Sequence, residues 1–278
     1  MLEKLSDYLT NFNEYRTVRA ETVLEDTTRV KIFTFRDELC NRAKPGQYIM
    51  VWVPGVDEIP LSLSSINHGG LSRITVERVG EATEALYAKN ADESINIRGP
   101  YGNFFRPVKG NVLVVGGGVG LAPLLPLTEE LVRLGSDVTL IVGAKTKQDI
   151  ISLAEVETLL KGKGKLIFTT EDGSYGLQGL ITIPADKLIA KGALRMVYTC
   201  GPERMMRHVF DSSERSRVYV QACLERVIRC SAGLCGSCVV GGFRVCRDGP
   251  IFNSEQMRDI LDEFGIYKRD FDGSRLSY

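Results

Sequence analysis

Four cysteines, Cys230, Cys235, Cys238 and Cys246, fall within seventeen positions, with four, two and seven residues between them. Thiols crowded to that degree either bridge in pairs or hold a metal, and each option restricts the backbone around them. The C-x4-C-x2-C spacing of the first three is one that [2Fe-2S] sites use. The residues between them are small: Gly233, Gly236 and Ser237 let the backbone turn its N–H groups inward, where they would bond and tune cluster sulfurs. A structural zinc site usually has two C-x2-C arms held apart, and this segment has one. Disulfides need an oxidising compartment, and the charged start, residues 1 to 8, has no apolar export segment. The spacing favours iron and sulfide, with zinc as the alternative occupant.

The 278 residues suffice for two domains, and 44% apolar with 25% charged residues is the composition of an ordinary globular protein. With 35 acidic and 35 basic side chains the net charge is zero, so no global field draws the chain to nucleic acid or to an anionic membrane. Arg204, Arg207, Arg215 and Arg217 read as a solvated helix face. The longest uncharged run, 110 to 128, is interrupted by Gly116, Gly117, Gly118, Gly120, Pro123 and Pro126 and is no membrane span. Seven cysteines without an export signal predict a cytoplasmic protein.

Leu2, Leu5, Leu9 and Phe12 recur at helical spacing and predict a short amphipathic helix within residues 1 to 13. From Tyr15 the texture changes to short β-rich runs, 17 to 24, 29 to 35, 47 to 53, 71 to 78 and 94 to 98. Turn residues separate them, which predicts a small antiparallel barrel ending near Pro107. Strand and helix then alternate: strands over 112 to 115, 137 to 143, 165 to 170 and 196 to 200, helices over 121 to 134, 152 to 160 and 184 to 190. That order predicts a doubly wound parallel sheet. The fold class is β + α/β, divided as an extension over 1 to 15, a barrel over 16 to 108, an α/β domain over 109 to 218, and a small cluster domain with a tail over 219 to 278.

Gly116, Gly117, Gly118 and Gly120 sit between the first strand and first helix of the α/β series. There glycines allow a pyrophosphate close to the backbone and to a helix N-terminus. A tight structural turn is the plain alternative. The third strand of the series runs into Glu171 and Asp172, carboxylates that can accept from an adenosine ribose and repel a 2′-phosphate, favouring NAD over NADP. A solvated acidic turn accounts for them equally.

Taken in order, further stretches resemble the ferredoxin-NADP reductase superfamily, and most closely its branch of electron-transfer subunits of NAD-dependent dihydroorotate dehydrogenase. Ile59-Pro60-Leu61-Ser62 resembles the flavin motif R-P-x-S; Thr75-Val76-Glu77 with Val79-Gly80-Glu81-Ala82-Thr83 resembles the second flavin segment, G-x-G-T. Gly99 to Gly102 resembles the G-P-x-G turn that closes the barrel, Gly116 to Pro123 the nucleotide loop, and Cys200 to Met205 the C-G-P-x-x-M strand end. The cysteine segment through Phe252 is similar to the branch's C-terminal signature. Two residues depart from the pattern: Ile59 stands for a phosphate-pairing arginine and Ala82 for a glycine.

The resemblance implies FAD on the barrel, NAD on the α/β domain, a [2Fe-2S] cluster on Cys230, Cys235, Cys238 and Cys246, and Cys200 beside the nicotinamide. No general acid or base is assigned. It also implies a partner, a separate FMN-containing dihydroorotate dehydrogenase catalytic subunit, two of each forming a heterotetramer in pyrimidine biosynthesis. The rival readings are the flavin and [2Fe-2S] subunit of a ferredoxin-NAD(P) oxidoreductase or sulfide dehydrogenase, and a zinc-stabilised NAD-sensing module without redox activity. Cys40 and Cys223 are expected to be buried apolar thiols.

Overall fold

The computed structural model describes residues 13 to 270 and 272 to 278; the helix expected over 1 to 13 falls, but for Asn13, outside them. Six strands close into a barrel: β1 (Arg16–Thr27), β2 (Val30–Phe35), β3 (Tyr48–Val53), β4 (Asp57–His68), β5 (Leu71–Glu77) and β6 (Ser94–Tyr101), in the order β1-β2-β5-β4-β3-β6 with every pair antiparallel. Phe33, Phe35, Ile49, Val51, Leu63, Ile74, Val76 and Ile97 fill the interior, all fully buried. A short helix, α1 (Glu81–Tyr87), plugs the barrel with Ala82 and Leu86.

The sequence runs for β1, β2, β3, β5 and β6 match the strands within a few residues. Strand β4 has no counterpart among them: Ile59, Leu61 and Leu63 do alternate with Pro60, Ser62 and Ser64, but the proline and the serines carry turn rather than strand propensity and the Ser64-Ser65 pair ends the alternation.

The second layer is a seven-stranded sheet, β10-β9-β8-β7-β11-β12-β15. It comprises β7 (Asn111–Gly117), β8 (Asp137–Ala144), β9 (Gly164–Thr170), β10 (Leu177–Gln178), β11 (Met196–Cys200), β12 (Val220–Cys223) and β15 (Ile251–Asn253), of which only β15 runs antiparallel to its neighbour. In β7, Val112 and Val114 face α2 (Leu124–Arg133) and α3 (Leu153–Leu160). Leu113 and Val115 face α4 (Thr182–Ile189) and α5 (Glu203–Arg215). Covered on both faces, the strand reads as an unbroken apolar run, as a central parallel strand must. Strands β12 and β15 flank the cysteines, so the cysteine loop leaves and rejoins one edge of the nucleotide sheet.

Barrel and sheet meet through polar contacts: His68 Nε2 lies 2.9 Å from Glu129, Asp26 Oδ2 accepts from the Ser152 amide at 2.7 Å, and Arg73 pairs with Glu155.

Candidate functional site

The cysteine loop folds as two units. Cys230 is followed by Ser231 at φ +55° and Gly233 at φ +75°, turns that bring the amides of Ala232, Leu234 and Cys235 within 3.4, 3.3 and 3.5 Å of Cys230 Sγ. Burial pushes this thiol up, and the three N–H donors more than offset it, bringing it down to about 6. At Gly233 there is no room for a side chain, because an added Cβ would meet Arg247 Cδ at 2.7 Å.

The second unit is a hairpin, β13 (Val239–Val240) and β14 (Phe243–Arg244), turned by Gly241 and Gly242. It accounts for the seven-residue spacing. The strands return Cys246 to Cys238, so that the Val245 amide donates to Cys238 O at 3.1 Å and the Cys246 amide to Cys238 Sγ at 3.4 Å. The thiol contact with Cys246 lowers Cys238 to about 6, and Cys246 is raised in turn.

The Cys235 amide on Cys230 Sγ and the Cys246 amide on Cys238 Sγ link the four cysteines as two neighbouring pairs, Cys230 with Cys235 and Cys238 with Cys246. Two pairs of thiols with a low-titrating member in each, and backbone N–H groups aimed at sulfur, fit a two-iron group that takes two thiolates on each iron. Cys235 is exposed and Leu234 beside it is 84% exposed, while Cys238 and Cys246 are buried.

The barrel grips this loop by side chains that sequence reading missed. Arg98 on β6 donates to the carbonyls of Arg229 at 3.1 Å and Cys230 at 3.3 Å, and Tyr48 on β3 donates to Cys246 O at 3.4 Å. Asn103 donates through Nδ2 to the carbonyls of Asp248 at 3.1 Å and Ile251 at 2.8 Å and accepts the Ile251 amide at 2.8 Å. Gly102 lets the chains close up: an added Cβ would stand 2.4 Å from Pro250 Cδ. These partners are 131 to 198 residues apart in sequence, so no local pattern announces them. The signal available was the G-P-x-G turn beside them.

In the nucleotide domain the structure separates the four glycines. Gly120 abuts the turn after β11, where an added Cβ would meet Gly201 Cα and N at 2.5 Å; Gly117 abuts Met205 and Pro202, and Gly116 abuts Leu121 and Leu124. Gly118 alone is exposed, at φ +55° with open space before it. Two of the four, Gly117 and Gly120, thus pack the G-G-G-x-G loop against the C-G-P turn and the helix after it, Gly116 packs under the loop's own helix, and Gly118 faces outward. Cys200 ends β11 in register with Cys223 of β12. The thiol–thiol contact and burial push Cys200 well up, so it stands there as a neutral thiol. Cys40 is likewise buried, and its thiol is raised. Buried and without a described partner are the hydroxyls of Thr169, two residues before Glu171, and Thr199, one before Cys200.

Glu171 and Asp172 differ. The Asp172 carboxylate accepts from the Ser174 amide at 3.0 Å and its hydroxyl at 2.6 Å, closing the turn, and these bonds lower its pKa. Glu171 is exposed, and its carboxylate holds no hydrogen bond among the described residues.

On the barrel, Ile59 packs half-buried against the core beside Pro60 and Leu61, with Ser62 next along β4. The Ala82 methyl is buried in the same core, which explains how alanine is tolerated there. Thr83 Oγ1 accepts from the amides of Val79 and Gly80, both at 2.9 Å, and starts α1. Val76 is a core residue, and Glu77 lies 3.9 Å from Arg29. The hydroxyls of Thr75, Ser64 and Ser65 are buried without partners on the adjacent strands β4 and β5. Buried hydroxyls left open are expected to meet polar atoms of a ligand.

Comparison with known proteins agrees with this architecture. Residues 114–211 match the oxidoreductase NAD-binding domain, and residues 225–258 match the iron-sulfur cluster binding domain of dihydroorotate dehydrogenase B. The structure of an NADH-dependent reduced ferredoxin-NADP oxidoreductase is 29% identical with TM-score 0.78, covering 88% of this chain and 91% of that one. A cytochrome b5 reductase domain of Ulva prolifera nitrate reductase, 17% identical with TM-score 0.61 over 74% of this chain and 94% of its own, shares the fold. A Methanocella arvoryzae protein named "Probable dihydroorotate dehydrogenase B (NAD(+)), electron transfer subunit" is 41% identical over 91% of this chain and 95% of its own length. A Methanocaldococcus jannaschii protein of the same name is 36% identical over 94% and 97%. With such likeness along nearly its whole length, the chain belongs to the family of dihydroorotate dehydrogenase B (NAD(+)) electron transfer subunits.

Proposed function

We propose that the chain is the electron relay of a dihydroorotate-oxidising complex: it takes electrons from a separate FMN-containing catalytic subunit and delivers them to NAD+. The observation that carries this is the loop of four cysteines, with backbone N–H groups aimed at the Cys230 and Cys238 sulfurs, at the edge of the parallel sheet and clasped by the barrel. When bound, FAD exchanges hydride with nicotinamide and single electrons with a [2Fe-2S] cluster, which makes it the two-to-one converter.

The chain's own groups have separate tasks. Cys230, Cys235, Cys238 and Cys246 hold the cluster. The amides of Ala232, Leu234 and Cys235 bond the Cys230 sulfur and stabilise its negative charge. Thr75, on the β5 side of the barrel, offers its unpaired hydroxyl to FAD, with β4 residues Ile59 to Ser62 and the segment from Val76 to Thr83 lining that site. Without a cation at position 59, one charge-assisted phosphate contact is absent, worth about 1.5–3 kcal/mol where present. Gly118 gives pyrophosphate access to the backbone, Gly117 and Gly120 hold the loop against the β11 turn while Gly116 seats the helix that follows the loop, and Glu171 accepts from the adenosine ribose. The neutral Cys200 packs beside the nicotinamide.

The exposed Cys235 edge faces the partner, two copies of each subunit forming the assembly. All seven thiols are free, which suits work in the cytoplasm. Among the described residues no helix is long and apolar enough to cross a membrane.

The test is Cys235→Ala mixed with the catalytic subunit. Orotate formation coupled to NAD+ is lost, while NADH still reduces a dye through FAD; full coupled activity in this variant would sink the relay.

A further inference from the structure

One guanidinium reaches from the barrel to the first cluster ligand. Arg98 is 8% exposed and places all five of its N–H donors. Nε and Nη2 form a fork on Glu58 at 2.6 and 2.7 Å, Nη2 also donates to Arg229 O at 3.1 Å, and Nη1 donates to Cys230 O at 3.3 Å and to Tyr101 Oη at 3.1 Å. Glu58, on β4, also accepts from Tyr15 Oη at 3.0 Å on the oxygen that Arg98 Nε holds, and among the described residues it makes no hydrogen bond to the cysteine loop. The cation touches the ligand's peptide while its counter-charge stands one group further away.

Building on the assignment of the four thiols to a [2Fe-2S] cluster, we propose that Arg98 and Glu58 are positioning residues that set the cluster's reduction potential with opposite signs. One-electron reduction adds a negative charge to the cluster. A guanidinium on the Cys230 carbonyl favours that state, and the Glu58 carboxylate opposes it from behind. With side chains 9% and 18% exposed, Arg98 and Glu58 are screened by solvent only in part. Left without its partner, each charge would act on the cluster alone. A purely structural clasp behaves differently, because loosening the loop from either side would move the potential in one direction.

The experiment is an EPR-monitored redox titration of the isolated, cofactor-loaded chain, preceded by iron and acid-labile sulfide analysis. Arg98→Gln is expected to shift the oxidised-to-reduced equilibrium about tenfold towards the oxidised cluster, a fall of about 59 mV for one electron. Glu58→Gln is expected to shift it about tenfold the other way, and the double variant to return close to the parent value. Arg98→Lys keeps the charge but cannot hold both carbonyls, so its potential stays near the parent's while the EPR line shape changes.

Shifts of the same sign in both single variants, or no shift in either, overturn the proposal. Should Arg98→Gln not fold, Glu58→Gln and the double variant decide alone: a rise followed by its cancellation supports the pair, and anything else overturns it. Parent protein without iron or labile sulfide refutes the cluster assignment itself, and the pair's role with it, which distinguishes that failure from a failure of the electrostatics.

Discussion

Glu171 and Asp172 are adjacent in sequence and unlike in use. The Asp172 carboxylate is committed to Ser174, so its removal opens the turn, whereas Glu171 extends past β9 with its oxygens free among the described residues. Replacing Glu171 with Ser is expected to raise the KM for NADH several-fold with kcat little changed, and to improve NADPH use, since the repulsion of a 2′-phosphate goes with the charge. Steady-state kinetics with both nucleotides measure it; an unchanged ratio of kcat/KM values would remove Glu171 from ribose recognition. Both carboxylates were legible in the sequence as a pair. Their division of labour was not, because it depends on which one meets a hydroxyl two residues on. Cys200 is a similar case: the C-G-P strand end marks the position, but its neutral state comes from Cys223, brought alongside only by parallel strand pairing.

Between elements, the nucleotide loop shows how one glycine motif contains two kinds of glycine. A methyl at Gly120 would collide with the backbone of Gly201, so Gly120→Ala must separate the β7 and β11 turns and is expected to destabilise the protein by about 1–3 kcal/mol. Gly118→Ala meets nothing, and its left-handed φ costs about 1 kcal/mol, yet its methyl enters the space assigned to pyrophosphate. NADH titration with urea unfolding separates them: Gly118→Ala should lose affinity out of proportion to stability. Equal affinity losses per unit of stability would mean that the loop binds no phosphate.

A second device ties β1 to the turn after β2. Burial raises the Asp37 carboxyl, but the Arg16 fork, at 2.7 and 3.1 Å, and the Cys40 amide, at 2.8 Å, outweigh it and leave the carboxyl below its ordinary value. A lowered native pKa adds stability that is complete above the unfolded value of about 3.9 and is lost as pH falls through the native one. Asp37→Asn should therefore be less stable at pH 7 by about 2 kcal/mol, and its stability should fall less steeply below pH 4 than the parent's. Parallel acid limbs in urea unfolding series would contradict this.

At the scale of the molecule, the sequence carried the barrel, the parallel sheet and the four thiols, because each is written in local spacing: alternation in the strands, glycines after β7, cysteines at four, two and seven. It did not carry what joins them, since Arg98 to Cys230, Tyr48 to Cys246 and Asn103 to Ile251 are contacts across more than a hundred residues. Nor did it show that β12 and β15 return the cysteine loop to the nucleotide sheet, for strands of four and three residues are too short to show a period.

Asn103 is the test of whether these parts act as one body. Its amide satisfies two carbonyls and one N–H of the 248–251 stretch, and alanine leaves all three without that partner. Unmade bonds at part-buried sites cost about 1–3 kcal/mol each, and water entering from the surface reduces the total. Asn103→Ala is expected to lose about 2–3 kcal/mol of stability. Its Ile251 amide should exchange hydrogen at least tenfold faster, with exchange on β7 and β8 unchanged beyond the global loss. Were exchange at Ile251 to stay slow, Asn103 would not be what holds the 248–251 stretch, and β12–β15 pairing would have to hold it, leaving Arg98 and Tyr48 as the barrel's grip on the cysteine loop.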